Sequence, residues 1–199
     1  MRVFRNILGV VACALVLCPT GAMARQLTIA NVTPLGVACI FTPKCAVTVT
    51  DSIGYIQMFG NAGHGKLLVR SYPGLPGTRA AGLTGYSLFI DLQGSTALGS
   101  PNCVEKLILD AGPVESVAYT GTAADIFVVG TSGGAGLAKV EQNGSKLTFT
   151  FAKPICPAPS VLTESLYFGF AAKGAPVPAK ATIIGTHGNI DVAVRVPKH

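Results

Sequence analysis

Apolar and polar residues alternate along this chain in short runs, and the dominant period is two. Gln26-Leu27-Thr28-Ile29-Ala30-Asn31-Val32 reads polar–apolar as a half-buried first strand. Cys45 to Thr50 is rich in β-branched residues and predicts a second, closed by Asp51-Ser52 as turn chemistry. Ile53–Phe59 and Lys66–Tyr72 flank a glycine-rich loop as a hairpin. Further strands are expected at Tyr86–Leu92, Val104–Leu109, Ala124–Val129, Leu166–Ala171, Ala181–Gly185 and Ile190–Val196. The sharpest local signal is the Asn143-Gly144 pair between Leu137–Gln142 and Ser145–Phe151, which predicts a tight type I′ hairpin. No segment of helical period stands out, and Gly174 to Pro178 reads as a Gly/Pro linker. About ten short strands with frequent turn signals predict an all-β fold, an antiparallel β-sandwich with a β-barrel as the alternative.

The N-terminus follows a different grammar. Arg2 and Arg5 precede an apolar run from Ile7 to Leu17, Pro19 and Gly21 break it, and Ala22-Met23-Ala24 offers small residues for cleavage. This reads as a secretory signal peptide over residues 1–24, too short to span a bilayer. One all-β domain over residues 25–199 and a secreted location, extracellular or periplasmic, follow as expectations. No later run is long and apolar enough to predict a transmembrane segment. Without Arg2 and Arg5 the 15 basic residues fall to 13, against 9 acidic ones, a formal charge of +4. Those charges stand singly, so nucleic acid is not an expected partner.

Export also changes the meaning of cysteine. Six cysteines become four, Cys39, Cys45, Cys103 and Cys156, and an even number in an exported chain predicts two disulfides. Cys39–Cys45 is favoured because the intervening IFTPK turns at Pro43, leaving Cys103–Cys156. The spacings do not pair as CxxC, which argues against zinc.

Candidate chemistry is sparse. Gly60 to Lys66 has the spacing of a phosphate-binding loop, but Leu67 stands where Ser or Thr would hold magnesium, and a strand follows instead of a helix. Gly130-Thr131-Ser132-Gly133-Gly134 is similar to the nucleophile segment of chymotrypsin-like serine peptidases. That resemblance implies Ser132 as nucleophile, His64 as base and Asp91 or Asp110 as its orienting partner. Thr131 replaces the usual Asp and His64 sits in a glycine-rich loop, so no catalytic residue is assigned and this small hydrolase stands only as the alternative function. The same residues fit GxSxG, but a strand and turn follow where a nucleophile elbow needs a helix. His64, His187 and His199 share no metal-ligand spacing, and no DxDxDG calcium loop occurs. No cofactor or metal is expected, with a structural calcium ion at a sandwich edge left open. Trp is absent, so a sugar platform would rest on Tyr or Phe. Tyr55, Tyr72, Tyr86, Tyr119 and Tyr167 fall on separate strands and read as ordinary strand packing.

Taken together, CIFTPKCAVTVTDSIG, GLTGYSLFIDL, VEKLILDAGPV, LTFTFAKPICP and YFGFAAKGAP resemble a type of bacterial secreted protein without assigned activity. The resemblance implies a disulfide-stapled sandwich outside the cytoplasm and brings no site residue. The expected function is an exported, non-enzymatic module with a binding or structural role in the extracellular space or at the cell surface, an extracellular polymer or cell-surface component being the candidate partner.

Overall fold

A computed structural model describes residues 24–33, 36–46, 49–130 and 133–197. Its strands are β1 (Arg25–Gln26), β2 (Ile29–Val32), β3 (Thr50–Ile56), β4 (Asn61–Gly63), β5 (Gly65–Pro73), β6 (Thr84–Asp91), β7 (Ser95–Ala97) and β8 (Val104–Asp110). They continue with β9 (Val114–Glu115), β10 (Ile126–Val129), β11 (Leu137–Asn143), β12 (Lys146–Ile155), β13 (Tyr167–Ala172), β14 (Pro176–Gly185) and β15 (Gly188–Pro197). One sheet has the order β1-β11-β12-β8-β14-β15 and the other β2-β10-β13-β6-β5-β3, with β9 beside β13; β4 and β7 form a separate pair. The sheets are not closed into a barrel, so the sandwich is the observed architecture.

Period-two alternation sends one set of side chains from each sheet into a shared core. Leu107, Leu109, Leu147, Phe149, Ile183 and Val194 come from the first sheet, and Leu67, Leu88, Ile90, Ile126, Phe168 and Phe170 from the second. Phe149 meets Phe168 across the gap at 5.2 Å between ring centroids. A second buried cluster lies on the outer side of the second sheet, where α1 (Gly36–Phe41) covers part of it. Phe41 stacks on Tyr72 at 5.6 Å and seats over Gly85, where a Cβ would lie 2.4 Å from its nearest ring atoms.

Both expected disulfides are present, Cys39–Cys45 from within α1 to the turn after it and Cys103–Cys156 between the start of β8 and the end of β12. The chain departs from the expected pattern at several places, each with a physical reason. GVACIF is a helix despite its poor propensity, held by burial of Val37, Ile40 and Phe41 and by the adjoining disulfide rather than by helical period. Cys45 is not the start of a strand: with Lys44 it adopts positive φ (56° and 59°) in a 3-10 turn, and β3 begins only at Thr50. The first strand is split at Leu27 and Thr28, so that β1 joins one sheet and β2 the other. The Asn-Gly hairpin turns one residue late. Asn143 pairs with Lys146, and Gly144 alone has positive φ (61°), as a type II′ turn with Gly first requires. The supposed linker is half strand: Pro176 and Pro178 sit in β14 beyond its contact with β8, where only β15 lies alongside and a missing N–H is tolerated. Among the described residues fifteen strands replace the expected ten, because several are only two to four residues long.

The N-terminal segment is held by a buried carboxylate. Asp125, 3% exposed, accepts hydrogen bonds from the Thr28 amide (2.9 Å), the Thr28 hydroxyl (2.9 Å) and the Ser116 hydroxyl (2.6 Å). Arg25 Nη1 approaches it at 3.5 Å. Burial pushes this carboxyl up, but Ser116, Thr28 and Arg25 outweigh burial and hold it below its ordinary value.

Candidate functional site

The second sheet's outer face is only partly covered by α1. Strand pairing sets what the open part presents. Asp51, Arg70 and Ser87 form one row across β3, β5 and β6; Ile53, Leu68 and Phe89 form the next; Tyr55, Lys66 and Asp91 form the third. On a solvent-facing sheet these positions should be polar. The middle row is instead apolar on every strand, and Tyr167 of β13 stacks on Phe89 at 4.4 Å with the rings 14° apart.

Tyr167 stands between two hollows. One, about 260 Å³, is lined by Val37, Arg70, Tyr72, Ser87, Val129 and Tyr167. The other, about 160 Å³, is lined by Ile53, Lys66, Leu68, Phe89, Asp91 and Tyr167. Arg70 is fixed as a fork on Asp51, Nε donating to Oδ1 at 3.0 Å and Nη2 to Oδ2 at 3.2 Å. The Asp51 hydrogen bond is the main cause of a raised Arg70 pKa, and the phenol oxygens of Tyr72 and Tyr167 act in the same direction. Such a part-exposed pair is worth at most about 1 kcal/mol of stability, so its use is in orientation. Ser87 and Tyr72, 3% and 7% exposed, both line the first hollow. Beyond the second hollow, Tyr55, Gln57 and His64 line a further notch, with Tyr55 62% exposed and its ring edge-on to His64 at 4.9 Å.

The sequence-derived candidates fall elsewhere or only at this margin. Ser132 lies outside the described residues, as does His199. His64 lies between β4 and β5, and its amide donates to the Gly94 carbonyl at 3.1 Å. Among the described residues no hydrogen bond joins His64 to Asp91, whose Oδ1 accepts the Gln93 amide at 2.8 Å. Asp110 belongs to the opposite sheet and takes the Ser145 hydroxyl. Within the GTSGG segment, Gly134 packs against the Ser165 backbone, where a Cβ would lie 2.6 Å away, so this glycine has a packing reason. The Gly60–Lys66 loop is pinned as β4 and its flanks, with Asn61 Nδ2 donating to the Asn102 carbonyl at 3.1 Å. Lys66 is already in β5. His187 is in the turn between β14 and β15, and among the described residues no three His, Cys, Asp or Glu side chains gather as a metal-binding group.

Of the five tyrosines, Tyr86 faces the core and Tyr119 is buried in the outer cluster, as strand packing implies. Tyr72 is buried in that same cluster at the edge of the first hollow, whereas Tyr55 and Tyr167 stand on the open face. The signal that marks this face in the sequence is Leu88-Phe89-Ile90, which breaks the alternation and requires Phe89 to stand outside a buried strand. Compared with protein-family models, curated proteins and solved structures, the chain has no match.

Proposed function

We propose that this chain is an exported, non-enzymatic binding module, secreted to the extracellular space or periplasm, and that the open outer face of the second sheet is its recognition surface. The observation that carries the reading is the Tyr167 divide: two adjoining hollows with an apolar floor, the first lined also by Ser87, Tyr72 and an oriented guanidinium. Concave apolar sites with a few fixed polar groups are the ordinary form of a ligand site. Export is supported by the signal-like segment over residues 1–24 and by two disulfides, which persist in oxidising compartments. Among the described residues no helix is long and apolar enough to cross a membrane.

The ligand expected is an extracellular polymer or a surface component. Purified, disulfide-intact protein is mixed with insoluble cell-wall sacculi, cellulose and chitin and sedimented. The expected result is co-sedimentation with at least one, weakened about tenfold or more by Tyr167→Ala, equivalent to about 1.4 kcal/mol. Failure to sediment with any of them, or equal sedimentation of Tyr167→Ala, overturns the reading.

A further inference from the structure

Resting on that reading, we propose that the three hollows are successive subsites for a linear, uncharged polysaccharide.

The first ground is length. The first two hollows share Tyr167, and strand register places the third, at Tyr55, Gln57 and His64, beyond the row that follows Ile53, Leu68 and Phe89. Between them the path crosses from β13 to β3 and advances from the Asp51 row to the Tyr55 row. Strand spacing and rise per residue put this diagonal on the order of 20 Å. That is the span of a chain of linked rings rather than of one small molecule.

The second ground is charge. The whole sequence has a formal charge of +6, yet this track carries Asp51 with Arg70 and Lys66 opposite Asp91, two charges of each sign. A polyanion draws its affinity from unbalanced cations. Nothing here supplies them, since Arg70 is already committed to Asp51.

The third ground is the polar inventory. The hydroxyls of Ser87, Tyr72 and Tyr167 both donate and accept, Arg70 retains Nη1 as a donor, and the paired carboxylates accept. Set against the apolar side chains of Ile53, Leu68 and Phe89, this matches a ligand that presents hydroxyl groups at its rim and C–H groups on its faces. A peptide strand would need a free backbone edge, whereas these groups belong to a sheet face.

The test uses the full processed protein, isothermal titration and affinity electrophoresis. The probes are hydroxyethylcellulose, mixed-linkage β-glucan and dextran as neutral chains, alginate and dextran sulfate as polyanions, and neutral oligosaccharides of increasing length. Expected are binding of a neutral chain, an affinity that rises stepwise with oligomer length, and less than about a twofold change between about 0.05 M and about 0.5 M salt. Tyr55→Ala and Tyr167→Ala each lower affinity about tenfold, while Phe59→Ala, 86% exposed and off the track, leaves it unchanged. Circular dichroism confirms that each variant keeps its fold. Binding restricted to polyanions, with steep salt dependence and loss in Tyr167→Ala, overturns the neutral ligand but keeps the binding face. Affinity independent of oligomer length, or unaffected by Tyr55→Ala, overturns the track and leaves a single site. Binding to no probe overturns both.

Discussion

The seat of α1 on the second sheet gives a sharp test of how the site is built. Phe41 is fully buried, its ring lies over Gly85, and it stacks on Tyr72 while tilting against Phe127 at 6.3 Å. Gly85→Ala would place a methyl carbon 2.4 Å from the nearest atoms of that ring. Neither the ring nor the strand below can move far, because both are packed on all sides, so overpacking is expected to cost about 1–3 kcal/mol. Phe41→Ala removes the ring and leaves a cavity, expected to cost about 3–5 kcal/mol. That is a large share of a typical domain stability of about 5–15 kcal/mol. In the double variant the new methyl enters space the ring has vacated, so the Gly85→Ala penalty should vanish or change sign. The coupling is therefore expected to exceed about 1 kcal/mol. Urea unfolding of the oxidised protein measures all four corners of the cycle, followed by far-ultraviolet circular dichroism since the sequence contains no Trp. Penalties that add to within about 0.5 kcal/mol would refute the contact and the account of α1 as a plate locked by one aromatic ring. Since Val37 of α1 lines the first hollow, Phe41→Ala should also loosen one wall of the proposed site.

Other consequences can be measured on the same protein. Asp125→Asn should cost about 1–3 kcal/mol at neutral pH, because the amide turns a donor toward Thr28 or Ser116. The Asp125 carboxyl lies below its ordinary value of 3.8 in the fold, so its stabilisation is present above that pH and fades as pH falls further. Thermal melts of wild type and variant should therefore converge in acid, and a constant gap down to strongly acidic pH would contradict the pairing. Replacing Cys103 and Cys156 by Ala should cost about 4.2 kcal/mol on the chain-entropy estimate, against about 2.4 for Cys39 and Cys45, and chemical denaturation ranks the two. A serine-directed fluorophosphonate should leave the protein unlabelled; labelling abolished by Ser132→Ala would instead establish the hydrolase alternative.

What could be read without a structure, and what could not, divides by distance along the chain. The Asn143–Lys146 hairpin was legible because a glycine in a two-residue connection has few alternatives, and even there the turn type depended on which residue took positive φ. The disulfides were legible because four cysteines and one short loop leave little choice. The helix was hidden because GVACIF is stabilised by a ring on Gly85 and a bridge to Cys45, neither visible in a window of six residues. The open outer face of the second sheet was hidden more deeply. Its residues come from β3, β5, β6 and β13 and read singly as strand packing. Only strand order, which joins β5 to β6 and β6 to a β13 more than seventy positions later, lays Phe89 beside Tyr167.

The split first strand has a consequence for the order in which the molecule can assemble. β1 lies along β11 and β2 along β10, so a single stretch closes one edge of both sheets at once. Thr28 and the Asp125 that anchors it are separated by 97 positions, so closure waits until most of the chain is in place. Until then, β10 and β11 stand as neighbouring vacant berths with the hydrophobic Leu27 seat open between them. A vacancy of that shape accepts the same stretch from any molecule of this sequence. Concentration during refolding should accordingly decide between monomers and exchanged pairs, with the first eight residues after position 24 as the traded piece.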